Sequence, residues 1–338
     1  MARALELARS PGVPEGPNPR VGCVLLAPDG TTLAEGHHRG AGTPHAEADA
    51  LGEAGGRARG ATAVVTLEPC NHTGRTGPCT AALIGAGVAR VVYGQADLSV
   101  PAAGGADALR AAGLAVVGGL LEDRARAVNP EWTFAVRHGR PFVTWKFATT
   151  LDGRSAAADG TSRWVSSAPA RRDTHRLRAQ CDCILIGTET VLVDDPELTV
   201  RDEHDVPVAR ERQPLRAVMG LRGVPDDRRV RNDAAATVLL HTREPADALA
   251  ELHARGRRRL FLEGGPTVAR AFLKAGLVDR VVAYVAPMLL GAGRSAVADL
   301  GIETIGDAVH LHVDDVTVIG LGAEANVRMT MRLASGGR

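Results

Sequence analysis

The 338-residue chain is longer than one ordinary domain, and its 45% hydrophobic content can fill more than one core. Forty basic residues stand against 39 acidic ones for a net charge of +1, and residues 1–140 hold 13 of each sign, so neither half carries the cationic face that nucleic acid requires. Ten aromatic residues and no apolar run near about 18 residues leave little material for stacked single strands or a membrane span, and point to a small-molecule partner.

The opening MARALELARS reads as an amphipathic helix without the apolar stretch of a signal peptide, so a cytoplasmic protein is expected. VGCVLLAPDGTTLAEGHH then reads as a hairpin turning at Pro28, Asp29 and Gly30. A helix from Ala46, the strand AVVTLE, a helix from Cys79, the strand RVVYGQ, a helix near Gly105, the strand LAVVGG and a helix from Glu122 follow in turn. This alternation predicts α/β layers. The pattern resets at a polar turn around residues 137–141, which separates domains 1–140 and 141–338. FVTWKFA, CDCILIG, LRAVMG, TVLLH, RLFLEGG and RVVAYVAP resume the α/β pattern. DEHDVPVARERQP is a polar loop, and the period-two runs HLHVDDVTVIG and NVRMTMRL close the chain as an antiparallel pair.

Five scattered cysteines, an odd number, do not make a disulfide framework. Cys23, Cys181 and Cys183 sit in strand-like runs and read as small buried hydrophobes. Cys70 and Cys79 lie instead in PCNHTGRTGPC, a Gly- and Pro-rich loop, while TPHAE sets His45 and Glu47 two apart at a helix start. Taken singly, the two cysteines read as unlinked thiols, and His45 as a capping residue, as readily as ligands. Together they form H-x-E followed by P-C and a second Cys. That is the zinc nucleobase-deaminase signature, except that eight residues rather than two separate the cysteines. A catalytic zinc needs three protein ligands and one open position; His45, Cys70 and Cys79 meet the first need and Glu47 adds a proton shuttle. The competing reading is a structural zinc closed by His37 or His38, and Glu47 argues against it, because such a site has no use for a shuttle.

The second half has no dinucleotide-binding fingerprint, since GLGAEA lies between two strand-like runs rather than between strand and helix. LFLEGGPTVARAF offers a strand, two glycines and a helix start at Pro266 and Thr267, which suits a phosphate and also occurs as a plain turn. Lys146 and Lys274 are the only lysines. Lys146 therefore reads as an orientable ammonium donor, with a snorkelling surface lysine as the alternative.

PNPRVGCVLL, EGHHRGAGTPHAEADAL and LEPCNHTGRTGPCT resemble the deaminase half of the bifunctional riboflavin-biosynthesis deaminase/reductases, a cytidine-deaminase-like α/β/α domain. FVTWKFATTLDGR, SRWVSSAPAR, LRAQCDCILIGTETVLVDDPELTVR and LEGGPTVA resemble their reductase half, a dihydrofolate-reductase-like α/β domain. The resemblance implies zinc-dependent hydrolytic deamination of 2,5-diamino-6-(5-phosphoribosylamino)pyrimidin-4-one. NADPH-dependent reduction of the ribosyl chain would follow, giving 5-amino-6-(5-phosphoribitylamino)uracil, in a homo-oligomer. It implies zinc on His45, Cys70 and Cys79, proton transfer by Glu47, and contacts from Asn18, His72 and Arg75 to the first substrate. In the second half it implies NADPH near Ala148, Trp164, Thr190, Asp194, Gly265, Pro266 and Thr267. The second substrate would rest against Ser162, Arg178, Leu198, Arg201 and Glu263, with Lys146 and Asp152 beside the reacting ribosyl carbon.

Overall fold

A computed structural model, which describes residues 1–13, 16–73, 77–99 and 102–334, places a five-stranded sheet in one unit, Met1–Gly139, and an eight-stranded sheet in a second, Arg140–Arg338. The first unit runs α1 (Ala2–Ala8), β1 (Gly22–Leu26), β2 (Thr32–His37), α2 (Ala46–Ala54), β3 (Thr62–Leu67) and α3 (Cys79–Gly85). It continues through β4 (Arg90–Gln95), α4 (Gly105–Ala111), β5 (Ala115–Val117), α5 (Glu122–Arg126) and α6 (Pro130–His138). Strand order is β2-β1-β3-β4-β5; β1 is antiparallel to both neighbours, as the hairpin reading requires, and β3, β4 and β5 are parallel.

Close approach of helix to sheet sets the position of α2. A Cβ on Gly36 would lie 2.3 Å from the Ala46 carbonyl oxygen and 2.5 Å from the Ala50 amide, so only glycine lets α2 settle here. The helix answers with a stripe of small side chains, Ala46, Ala50 and Ala54, at most 3% exposed and packed with Cys23, Leu25, Val65 and Leu83. Gly105 plays the same part across the molecule's loop layer, where a Cβ would meet the Pro69 carbonyl at 1.9 Å. Glu68 ties that junction: its carboxylate accepts hydrogen bonds from Ala106 N, at the start of α4, and from Asp97 N.

The second unit runs β6 (Phe142–Thr150), β7 (Arg154–Ala156), α7 (Ala168–Arg178), β8 (Cys183–Gly187), α8 (Thr188–Asp194), β9 (Leu215–Met219), β10 (Thr237–Leu240) and α9 (Pro245–Ala254). Then come β11 (Arg259–Leu262), α10 (Pro266–Lys274), β12 (Arg280–Ala286), β13 (Arg294–Ser295), β14 (Leu311–Ile319) and β15 (Asn326–Leu333). Its sheet has the order β10-β9-β8-β11-β6-β12-β15-β14, parallel through the first six strands and antiparallel at the closing pair. Val143, Leu185, Leu260 and Leu262 from central strands pack with Leu249, Leu252, Ala269 and Phe272 from α9 and α10, as sheet faces covered by crossover helices must. Fully buried Arg216, on β9, donates to the carbonyls of Glu197, Arg229, Asn232 and Ala235, to Asn232 Oδ1 and to Thr237 Oγ1, mooring the irregular chain around the strand.

Cys23 and Cys183 are fully buried as expected, whereas Cys181 precedes β8 and is only half-buried at the margin of the Ile184 and Ile186 cluster. No helix among the described residues is long and apolar enough to cross a membrane.

Candidate active sites

In the first unit, three elements deliver three donors to one point. His45 is the N-cap of α2, Cys70 follows β3, and Cys79 is the first residue of α3. His45 Nδ1 lies 3.2 Å from Cys79 Sγ and 3.5 Å from Cys70 Sγ, and all three donor atoms fall within 4.8 Å of one another. The Cys79 amide also donates to Cys70 Sγ at 3.4 Å. Two neighbouring thiols cannot both ionise without a cation between them: Cys70 is pulled down, first by the Cys79 thiol as a hydrogen-bond partner, and Cys79 is pushed far up. One imidazole nitrogen facing two sulfurs is a donor set suited to zinc, with a position left over. Glu47, in the first turn of α2 and 3% exposed, has its carboxyl raised by burial.

His38 does not close this group. Its Nδ1–H donates to the Pro44 carbonyl at 3.0 Å, and its Nε2 is 3.0 Å from Asn18 Nδ2. Both ring nitrogens are thus engaged, and the ring stands edge-on to His45 at 5.2 Å. The Nδ1–H tautomer makes Nε2 the acceptor, which turns the Asn18 carbonyl oxygen away from His38. This relay was not legible in the sequence, where His38 stood only as a fourth ligand for a structural zinc. His72 has a buried Nδ1 without a hydrogen-bond partner. Arg75 lies outside the described residues.

In the second unit, Arg178 on α7 donates through Nε and Nη2 to both carboxylate oxygens of Glu263, at 2.5 and 2.9 Å, and through Nη1 to the Thr199 carbonyl at 2.9 Å. Burial works against ionisation of Glu263, yet Arg178 and Lys146 hold its pKa below the usual carboxylate range. Burial pushes the Lys146 ammonium down, with Glu263 pulling the other way, and its Nζ stands 5.6 Å from the Tyr284 ring centroid. Arg201 donates to Glu197 at 2.6 Å and to the Asp205 carbonyl at 2.8 Å.

The loops after β8 and β11 meet at the carboxyl ends of the parallel strands. Val268 of α10 packs where a Cβ on Gly187 or Gly264 would fall, while a Cβ on Gly265 would enter open space. Gly265 caps α10 with no side-chain bond, and Pro266 and Thr267 form its first turn. Thr190 is on α8, and the Asp194 carbonyl ends that helix by accepting from Arg163 at 2.5 Å. Ala148 packs near Ala170 and Tyr284, and Ser162 closes a turn with Val165. Trp164 is 62% exposed, with the Arg171 guanidinium 4.3 Å from its ring centroid.

Two expected contacts sit differently. Leu198 is 4% exposed and its side chain packs with Ile184, Ile186 and Val191, so only its backbone, at φ +53°, is left to face a ligand. Asp152 is spent on a turn: its carboxylate accepts from Thr150 Oγ1 and from the Leu290 and Gly291 amides, which hold its pKa to about 2.

Family models agree with this division of chemistry. Residues 1–95 match the zinc-binding region of cytidine and deoxycytidylate deaminases, and residues 141–324 match the RibD C-terminal domain. A zinc-type deaminase unit followed by a reductase unit of dihydrofolate-reductase type defines a bifunctional deaminase/reductase. Among curated relatives, the riboflavin biosynthesis protein RibD of Mycobacterium tuberculosis is 50% identical over 90% of this chain and 89% of its own, and that of Escherichia coli 40% identical over 95% and 96%. The Acinetobacter baumannii RibD structure superposes with a TM-score of 0.83 at 35% identity, covering 99% and 98% of the two chains. A Thermotoga maritima diaminohydroxyphosphoribosylaminopyrimidine deaminase/5-amino-6-(5-phosphoribosylamino)uracil reductase does so at 0.79 and 30%, covering 99% and 97%. The chain belongs to the RibD family: it is a riboflavin-biosynthesis enzyme that deaminates and then reduces, using zinc and NADPH.

Proposed function

We propose that residues 1–140 deaminate 2,5-diamino-6-(5-phosphoribosylamino)pyrimidin-4-one and residues 141–338 reduce the ribosyl chain of the product. The observation that carries the first step is the convergence of His45 Nδ1 with the Cys70 and Cys79 sulfurs beside a buried carboxyl. These three residues hold zinc, which supplies the Lewis acidity that makes a water acidic near neutral pH. Glu47 then takes a proton from the attacking water at a carboxylate oxygen and returns it to the departing ammonia; the burial that raises its proton affinity suits both transfers. Asn18, oriented by His38, presents its carbonyl oxygen to an N–H of the pyrimidine. His72 and Arg75 complete the contacts.

In the second unit Gly265, Pro266 and Thr267, at the start of α10, together with Ala148, Trp164, Thr190 and Asp194, would hold NADPH. It supplies the hydride. Lys146 donates a hydrogen bond to the ribosyl oxygen that leaves the reacting carbon, and Glu263 keeps that ammonium oriented. Ser162, Arg178 and Arg201 hold the substrate, Leu198 through its backbone, and Asp152 acts by holding the turn at Leu290 and Gly291.

The assay measures ammonia release, NADPH oxidation and bound zinc on one preparation. Wild type should release ammonia without NADPH and oxidise NADPH only afterwards. Glu47→Gln should keep its zinc and still reduce supplied deaminated intermediate, while ammonia release falls by about 100-fold or more. Unchanged ammonia release would remove Glu47 from the mechanism.

A homo-oligomer is part of the same reading. A bulge between Val313 and Asp315 keeps Leu311, Val313, Val316 and Val318 on one face of edge strand β14, opposite Leu333, Met331, Met329 and Val327. The four β14 side chains are 39% to 61% exposed, an apolar strip that a second copy would cover.

A further inference from the structure

Asn129 stands where a helix cap belongs and does not cap. It precedes Pro130, the first residue of α6, and an asparagine so placed ordinarily turns its side chain back to accept from an amide of the first turn. Here the N-cap side chain makes no hydrogen bond to the helix. It is 4% exposed and faces a segment 109 residues earlier in the chain. Arg20 N donates to Asn129 Oδ1 at 2.7 Å, and Asn129 Nδ2 donates to the Arg20 carbonyl at 2.8 Å. One planar amide thus takes both backbone groups of Arg20, as a paired strand would, although Arg20 lies ahead of β1.

The gripped segment is the one that carries Asn18. Pro17 and Pro19 flank Asn18 and have no N–H, so bonds of sheet type cannot fix the chain there. Holds follow immediately after it. Beyond the Arg20 clamp, the Val21 carbonyl accepts from His38 N at 3.0 Å, and Gly22 N donates to Thr66 Oγ1, on β3, at 3.2 Å. Asn18 Nδ2 lies 3.0 Å from His38 Nε2. His38 therefore decides which end of the Asn18 amide is left for a ligand, and the clamp decides where that amide stands. The base of the clamp is firm: Gln95, at the end of β4, donates to Thr133 Oγ1 of α6 at 3.0 Å, and both residues are buried.

We propose that Asn129 is a positioning residue of the deaminase site, fixing through the Arg20 backbone the point from which Asn18 presents its carbonyl oxygen to the pyrimidine. A hydrogen bond weakens steeply outside a narrow range of length and angle, so a contact residue on a loop is only as good as the mooring of that loop. Serine, threonine or aspartate would serve α6 as a cap. Among capping residues only asparagine has a donor and an acceptor in one plane, the set that closes both bonds on Arg20.

This rests on the reading that Asn18 contacts the pyrimidine, and the experiment separates the two. Steady-state ammonia release, zinc content and melting temperature are measured for wild type, Asn129→Ala, Asn129→Ser, Asn18→Ala and the double variant Asn18→Ala with Asn129→Ala. Serine keeps the ability to cap α6 and loses the clamp. Both Asn129 variants should raise KM for the diaminopyrimidine phosphate about ten-fold, with kcat and zinc content at wild-type values. In the double variant the loss should equal that of Asn18→Ala alone, because a residue that acts only through Asn18 then has nothing left to place. A wild-type KM in Asn129→Ser would assign Asn129 to capping, and multiplied losses in the double variant would assign it an independent role; either overturns the proposal. Zinc lost from the Asn129 variants overturns it too, since the clamp would then support the whole site. If Asn18→Ala leaves KM unchanged, the reading of Asn18 falls first and the proposal with it.

Discussion

Lys146 is one of two lysines in a chain with 40 basic residues, and its surroundings explain why arginine is no substitute. Arg178 already fills the bidentate position on Glu263, so a second planar guanidinium would compete for the same carboxylate. Lys146→Arg should lower NADPH oxidation by about 100-fold, leaving ammonia release and zinc content at wild-type values; near-normal reduction would show that any cation serves. At this scale the sequence told most about the first site. His45, Cys70 and Cys79 were legible because metal ligation needs particular atoms, and Glu47 because it stands two residues from His45 at a helix start. His38 was not. Its place depends on what lies against its ring nitrogens, Pro44 and Asn18, and no spacing rule encodes that. Leu198 shows a different limit, since the sequence does not tell that its side chain belongs to the core and leaves only its backbone for a contact.

Among the elements, α2 governs the deaminase site because it carries His45 at its cap and Glu47 in its first turn. Its height above the sheet is set by Gly36. Gly36→Ala would force a methyl group against the Ala46 carbonyl and lift the helix start, costing about 1 to 3 kcal/mol of stability. Calorimetry should show a lowered melting temperature, and zinc affinity should fall in parallel while NADPH oxidation with supplied intermediate persists. If zinc binding stays intact, the glycine serves packing alone. The alternating runs predicted most strands and the helices between them, because period-two and 3.6-residue patterns report directly on burial. Helix α6 escaped that reading, although Pro130 at its first turn is a start signal, and so did the short β7–β13 pair, too brief for any period to register.

For the whole molecule, each of the two units has a hydrophobic core of its own, one under the zinc hydrolase and one under the reductase. The apolar strip on β14 is the surface that neither core uses. If a second copy covers it, Val316→Asp with Val318→Asp should sediment as a monomer where wild type does not, while the protomer keeps its fold. A wild-type protein that sediments as a monomer would leave the strip without a self-partner. Arg216 carries a different consequence. Its partners are carbonyls, an amide oxygen and a hydroxyl, so a full positive charge is moored in a dry interior by dipoles. Dissolved ions screen charges that face water and barely touch one held this way. Ionic strength thereby becomes a selective instrument on this enzyme: raising it weakens capture of an anionic substrate while the interior around β9 stays indifferent.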